Sequence, residues 1–203
     1  TPQFMVDQKL KSIVDDEAVS WDRIQELTKS FKPSLFSEVN IDSKEEVISR
    51  GNEILHSLLQ AYTEKGISLS SDPGHGIGHI ARDYVNASIL IRKLSADPKH
   101  LFIGFLGGVL HDSGLSLVDR YQESKRAIRH AEIGALLLQD IVEQAGVDLN
   151  ATETRLVSYS IAAHTHYLGP CAVLCSDGIM RQVEPYQDLD EGKPILGVWF
   201  PRW

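Results

Sequence analysis

Apolar residues recur every three or four positions along most of the chain, which is the spacing of helices that bury one face. One such segment begins after Ser43, where Glu46 stands three residues on as in a capping box, and it continues to Tyr62. Residues 79–94 repeat the pattern. Residues 100–112 are apolar on nearly all sides, which indicates a helix at the centre of the fold.

Further apolar segments of helical length follow in the second half of the chain. The predicted helices there cover residues 130–146, 153–164 and 171–183. The second of them has two candidate N-caps, Asn150 and Thr152. Strand-like alternation is weak and confined to the region of Ile195 to Phe200. The pattern therefore predicts an all-α fold, a helical bundle.

The first 40 residues form a distinct segment that contains no glycine and alternates charged with apolar residues. Apolar residues fall at helical spacing from Val19 to Phe31. We interpret residues 1–40 as an N-terminal helical extension and residues 41–203 as the main helical domain.

The composition fits one globular domain and narrows the range of partners. The chain has 203 residues, 42% hydrophobic and 24% charged, so a sizeable core can form and wholesale disorder is excluded. Its formal net charge of -8 opposes nucleic-acid binding, which depends on basic surface. The longest apolar run, Leu101 to Leu110, is too short to cross a bilayer, and the N-terminus lacks the layout of a signal peptide. We expect a cytoplasmic protein with no membrane partner and no nucleic-acid partner.

Histidines are concentrated at predicted helix ends and next to glycines. The strongest pattern is His111 followed by Asp112 at the end of the most apolar helix, where an ionised carboxylate is costly unless a cation or hydrogen bonds compensate it. A metal ion is one interpretation, and a hydrogen-bonded core pair is the other. Histidine nitrogen with carboxylate oxygen suits Fe, Mn, Zn, Co or Ni better than Ca.

Five short motifs occur in an order that resembles the HD-domain superfamily of metal-dependent phosphohydrolases, in its subset that binds two metals. The motifs are GHGIGHIARDYV, GGVLHDSG, HAEIGALLL, IAAHTH and LCSDGIM. Five ordered motifs are far more specific than a single His-Asp pair. The resemblance implies an HD-type helical bundle that hydrolyses a phosphate ester or anhydride.

The same resemblance implies a centre of two divalent transition-metal ions. Its predicted ligands are His79, His111, Asp112, His130, His164 and Asp177. The first ion is expected on the first three of these residues and on Asp177. The second is expected on His130 and His164, with Asp112 bridging both ions and acting in catalysis. Iron or manganese is the expected metal, with Zn, Co, Ni or Mg as alternatives, and water made acidic by the ions would attack phosphorus.

Two histidines and a basic segment are further candidates for catalysis and substrate binding. His75 could contact the leaving group and His166 a product phosphate, although each also fits an exposed loop histidine. A run of bases ahead of the third motif could bind substrate phosphates or form a solvated helix face. These bases are Arg120, Lys125, Arg126 and Arg129.

Cys171 and Cys175 stand four residues apart on one predicted helix face, which favours reduced thiols over a disulfide. Together with His164 and His166 they could form a structural zinc site, but that interpretation leaves the His-Asp pair unexplained. Small core residues are the simpler interpretation of both cysteines.

The expected substrate is a small phosphorylated molecule, in particular a nucleotide. The stretch from His130 to Asp177 resembles symmetrical diadenosine tetraphosphate hydrolases of the same superfamily. Leu115 after HDSG, and the lack of GYP after His166, depart from the subgroup that cleaves cyclic di-GMP. Two alternatives stay open: diiron oxygenases of the superfamily share the ligand pattern, and a catalytically silent nucleotide-binding module would share the fold. The oligomeric state stays open as well.

Overall fold

The structure is a computed structural model, which describes residues 33–65, 67, 75–115, 126–164, 171–174, 180–183 and 200–201. Its α-helices are α1 (Lys44–Glu64), α2 (Ile77–Lys93), α3 (Pro98–Leu110), α4 (Arg126–Ala145) and α5 (Ala151–Ala163), preceded by a 3-10 helix at Pro33–Glu38. These helices confirm the predicted all-α fold class. Most of the predicted N-terminal extension, residues 1–32, lies outside the described residues. None of the helices in the described ranges is both long and apolar enough to cross a membrane.

Helix α3 is the centre of the fold, as its apolar character predicts. It packs against α1, α2 and α5, while α4 packs chiefly against α5. Its residues Phe102, Leu106 and Leu110 are fully buried. Gly107 lies where α3 meets α5, and a Cβ there would collide with the Ser160 side chain. This glycine therefore allows the two helices to approach closely.

The helix starts use the side-chain caps that the sequence offers. Ser43 caps α1 by accepting a hydrogen bond from the backbone N–H of Glu46. At α5 the cap is Asn150 and not Thr152. The Asn150 side chain accepts from the Glu153 N–H, and the Glu153 carboxylate accepts from the Asn150 N–H. This reciprocal pair is a complete capping box.

The helix predicted over residues 171–183 is wrong. Residues 171–183 contain the strands β1 (Cys171–Leu174) and β2 (Met180–Val183), and a third strand, β3 (Phe200–Pro201), follows later in the chain. Strand β1 pairs antiparallel with both others, in the order β2-β1-β3, with Leu174 opposite Met180 and Ala172 opposite Phe200. The Asp-Gly dipeptide between β1 and β2 is typical of hairpin turns, and this signal outweighs the apolar character that suggested a helix.

Two helix boundaries differ from the predicted ones in ways that affect the candidate site. Helix α3 ends at Leu110, so His111 and Asp112 lie in the turn that follows it. Helix α4 begins at Arg126, ahead of the predicted start at His130. Part of the basic segment therefore belongs to the first turn of α4. The predicted start was too late because a periodic apolar pattern shows where a helix is buried and not where it begins.

A buried ion pair joins α1, α5 and the chain ahead of α1. Arg50 donates to both carboxylate oxygens of Glu153, at 2.8 and 2.7 Å. The Glu153 side chain is fully buried, and its carboxylate also accepts the backbone N–H groups of Asn40 and Asn150. The Arg50 guanidinium lies over the Phe102 ring, 4.8 Å from its centroid. Both charges are thus compensated by several partners at once.

Candidate metal centre

The turn after α3 directs the His-Asp pair into a cluster of histidines. His111 is the C-cap of α3, and its Nδ1 lies 2.6 Å from the carbonyl oxygen of Gly108. Because a carbonyl oxygen only accepts, Nδ1 carries the proton of the neutral ring and the lone pair is on Nε2. His164, the C-cap of α5, has the same arrangement with the Ile161 carbonyl oxygen at 2.6 Å. Both rings are therefore oriented with Nε2 available to a ligand.

Asp112 lies between two pairs of imidazole nitrogens, with one carboxylate oxygen facing each pair. Its Oδ2 is 3.3 Å from His79 Nε2 and 3.2 Å from His111 Nε2. Its Oδ1 is 3.6 Å from His130 Nε2 and 3.7 Å from His164 Nε2. The Nε2 atoms of His130 and His164 are 2.8 Å apart. Two donor atoms that share one ion at about 2.1 Å lie roughly 3 to 3.5 Å apart, so these distances are close to those of a metal site.

The donor set of the cluster suits a cation. The groups that could hold a metal ion are His79 with His111 and Asp112, and Asp112 with His130 and His164. Four imidazole nitrogens converge on one carboxylate, and imidazole nitrogen with carboxylate oxygen is a combination that suits a transition-metal ion. The Asp112 side chain is 7% exposed whereas those of His79 and His111 are each 24% exposed, so the carboxylate lies beneath a rim that solvent reaches.

Burial and neighbouring charges set the protonation of the cluster. Burial would raise the pKa of Asp112, but His111, followed by His164 and His130, lowers it, so the carboxylate is ionised at neutral pH. Burial lowers the pKa of His111, but the hydrogen bond and charge of Asp112 outweigh burial and raise it. Burial lowers the pKa of His164 to about 4, so this ring is neutral at neutral pH, which is the form that binds metal.

A glycine sets the distance between the turn after α3 and helix α4. A Cβ at Gly114 would collide with the carbonyl oxygen of His130 and would lie 2.7 Å from the backbone nitrogen of Gly134. The turn that contains Asp112 therefore rests directly on the backbone turn of α4 that contains His130. This close approach brings the two groups that could hold a metal ion onto one shared carboxylate.

We expect Gly114→Ala to destabilise the protein by about 1–3 kcal/mol or more, because the added methyl group pushes the turn away from α4. The variant should also bind metal more weakly, since Asp112 and His130 move apart. Gly108→Ala is the matched control: nothing lies within 4 Å of a Cβ at this position on α3, and the change is neutral or stabilising in a helix. Urea unfolding measures both, and equal stabilities of the two variants would contradict the expected collision.

The structure brings together the side chains of all predicted ligands except Asp177, which lies outside the described residues. His75 lies just before α2, with its ring centroid 6.1 Å from that of His79. Arg126 and Arg129 belong to the first turn of α4. The other predicted residues, Arg120, Lys125 and His166, lie outside the described ranges.

The alternative zinc site loses part of its basis. Cys171 is on strand β1, so the prediction that it shares a helix face with Cys175 is wrong. Cys175 itself lies outside the described residues. His164, the remaining described member of that set, faces Asp112 and His130 instead.

Asp83 is an acidic residue beside the centre that the motifs do not predict. It lies on α2, one helical turn after His79, and its Oδ2 is 3.1 Å from His79 Nε2. The same oxygen is 3.9 Å from His111 Nδ1. An acid four residues after a candidate ligand on a helix shares its face, and this spacing is the signal in the sequence that points to Asp83.

Fold and site together define a helical domain with a buried His/Asp centre that could hold metal ions. Comparisons of the chain with protein-family models, with curated proteins and with solved structures find no match. The membership of the HD-domain superfamily therefore stays a prediction that is based on the ordered motifs.

Proposed function

We propose that this protein is a metal-dependent phosphohydrolase that cleaves a phosphate ester or anhydride of a small substrate, in particular a nucleotide. The proposal rests on one observation: each oxygen of Asp112 faces its own pair of imidazole nitrogens. A carboxylate in that position can bridge two cations, and in-line displacement at phosphorus commonly uses two cations close together. The motif order that resembles the HD-domain superfamily supports the same reaction class.

In the proposed centre, two divalent ions, iron or manganese, would supply a Lewis acid that makes water nucleophilic and neutralises charge on the phosphoryl oxygens. Asp112 holds the two halves of the centre at a fixed separation. The backbone carbonyl oxygens behind His111 and His164 keep both rings oriented, which removes the need to reorganise them during the reaction.

The partly exposed side of the centre is the entry for substrate in this proposal. His79 and His111 reach solvent, and His75 lies beside His79 at the start of α2. Water and an anionic ester can approach from this side. We assign His75 to contact with the leaving group, and Arg126 and Arg129, by their position on the first turn of α4, to contact with phosphate.

Phosphate release under strictly anaerobic conditions tests the proposed function. We expect protein reconstituted with Mn²⁺ or Fe²⁺ to release phosphate from a panel of nucleotides or from a generic aryl phosphate. His111→Ala should abolish this release, because it removes a nitrogen from the centre. His56→Ala is the matched control: His56 is exposed on α1 and is not part of the cluster, so this variant should keep full turnover.

The same substrates, tested also in air for O2 consumption and for nucleotide binding, separate hydrolysis from the other two functions that the ligand pattern fits. Turnover that requires both iron and O2, with O2 consumed in proportion to product, would replace the hydrolase by an oxygenase. Nucleotide binding without turnover under any metal condition would instead identify a silent binding module.

A further inference from the structure

Two buried hydroxyl groups, one of them on the residue after Asp112, lack a hydrogen-bond partner. Tyr62 lies in the last turn of α1 and Ser113 in the turn after α3, and each residue is 1% exposed. Among the residues that the structure describes, none hydrogen-bonds to the phenol oxygen of Tyr62 or to Ser113 Oγ. A buried hydroxyl without a partner costs free energy, so this pair is a candidate for a function.

The two hydroxyl groups face each other. Burial raises the pKa of Tyr62 to about 12, and the Ser113 side chain, which lies at the phenol oxygen, opposes this rise. Ser113 Oγ also lies 3.1 Å from the position of a Cβ on Gly134, so the side chain is directed inward, beside α4. Because a hydroxyl both donates and accepts, each of these oxygens can satisfy the other.

Backbone hydrogen bonds make the turn that carries Asp112 and Ser113 one unit. The N–H of Ser113 donates to the carbonyl oxygen of Leu110 at 3.0 Å, and the N–H of Leu115 donates to that of Asp112 at 3.0 Å. A shift of Asp112 is therefore passed to Ser113, and it changes the distance between the two hydroxyl groups.

The histidine cluster has to adjust when it binds a metal ion. The Nε2 atoms of His130 and His164 are 2.8 Å apart, which is shorter than the roughly 3 to 3.5 Å between two atoms that share one ion. Asp112 Oδ1 is 3.6 and 3.7 Å from the same nitrogens, which is slightly too long. An ion in this group would separate the nitrogens and draw the carboxylate toward them. The turn that contains Ser113 is thus linked to the state of the centre.

We propose that Tyr62 and Ser113 are positioning residues for Asp112, and that their hydroxyl groups close into one hydrogen bond when the centre binds metal. The inference rests on the metal centre of the proposed function. The bond would fix the turn to α1, while Gly114 fixes it against α4. Since the unpaired hydroxyls burden the metal-free protein and are satisfied on binding, the bond adds to metal affinity and not to the stability of the apo protein.

Mn²⁺ affinity and apo stability together test this proposal without relying on turnover. The apo protein is titrated with Mn²⁺, bound ions are counted by electron paramagnetic resonance, and affinity is measured by competition with a chelator. We expect Tyr62→Phe and Ser113→Ala each to lower the overall Mn²⁺ affinity by about 3- to 10-fold, the effect of one lost hydrogen bond. The melting temperature of either metal-free variant should equal or exceed that of the wild type, because an unpaired hydroxyl has left the core.

The double variant and a matched control make the result specific to the pair. Tyr62→Phe combined with Ser113→Ala should bind Mn²⁺ no more weakly than either single variant, because both changes remove the same bond. Ser88→Ala deletes another buried hydroxyl that has no partner among the described residues, on α2 and about 13 Å along the helix axis from His79. This variant should keep the Mn²⁺ affinity of the wild type.

Three results would overturn the proposal and leave the proposed function in place, since the wild type still binds Mn²⁺ in each. Wild-type affinity in both single variants would mean that the pair does not act on the centre. Losses of affinity that add in the double variant would mean that the two hydroxyls act separately. A lower melting temperature of the metal-free single variants would mean that the pair serves stability alone. Failure of the wild type to bind Mn²⁺ would instead remove the metal centre, and this pairing with it.

Discussion

Asp112→Asn is expected to lose both metal ions and to lower turnover by about 10³-fold or more, because one carboxylate serves both halves of the centre. Its two oxygens face different histidine pairs, and its side chain is only 7% exposed, so water does not readily take its place. Metal ions supply several kcal/mol of transition-state stabilisation, which corresponds to a loss of this size. Metal content by mass spectrometry after Mn²⁺ reconstitution, together with phosphate release, measures both effects.

Variants of single histidines show whether the loss of both ions is specific to Asp112, as expected for a carboxylate that bridges them. His130→Ala and His164→Ala each remove one nitrogen from the same group, so each should chiefly release one ion. Asp148→Asn is the control for loss of a carboxylate, because its side chain is 91% exposed and its contact with Arg50 is 3.8 Å long. If Asp112→Asn kept both ions and full turnover, Asp112 would not be a bridge.

The ends of the central helices explain why much of the centre could be predicted. Burial at the centre of the core makes α3 apolar on nearly all sides, so a polar His-Asp pair at its end stands out in the sequence. His111 and His164 both occupy C-cap positions, where free backbone carbonyls orient imidazole rings, and such positions can be inferred from local sequence. The sequence alone does not show that these ends meet, since that depends on contacts such as the one between Gly114 and α4.

Tertiary packing also explains what the sequence did not reveal. An acid on an amphipathic helix such as α2 normally faces solvent, so the contact of Asp83 with His79 and its position near His111 could not be predicted from the pattern. The short segments 171–174 and 180–183 fit a helix or a strand by composition, because runs of four residues do not show a period that distinguishes the two. Pairing with the third strand, Phe200–Pro201, is a long-range contact that no local pattern records.

The buried ion pair and the candidate metal centre lie at opposite ends of α5. Glu153 belongs to the first turn of the helix and His164 is its C-cap, about 16 Å apart along the axis. The Arg50–Glu153 pair can therefore be altered without contact with the histidine cluster. This separation allows the contribution of the ion pair to stability to be measured by itself.

Glu153→Gln is expected to lower the free energy of unfolding by about 3–5 kcal/mol, because it leaves the Arg50 guanidinium without its buried anion. The amide also turns a donor toward groups that donate, including the backbone N–H of Asn150. Glu143→Gln is the control, since Glu143 is exposed on α4 and the change should cost less than about 0.5 kcal/mol. Urea unfolding of the apo proteins gives both values, and similar losses in the two variants would contradict a buried ion pair.

The pH dependence of the stability difference between wild type and Glu153→Gln tests whether this difference is electrostatic. Burial would raise the pKa of Glu153, but Arg50, Asn150 and Asn40 outweigh it and lower the pKa below its ordinary value of 4.5. Because the folded pKa lies below the unfolded one, the contribution is fully present above about pH 4.5 and is lost as the pH falls through the folded pKa. We expect the stability difference between wild type and Glu153→Gln, measured in chelator, to stay constant from neutral pH to about pH 4.5 and to shrink below it. A difference that persisted unchanged to about pH 2 would mean that side-chain shape, and not the charge of Glu153, holds α1 to α5.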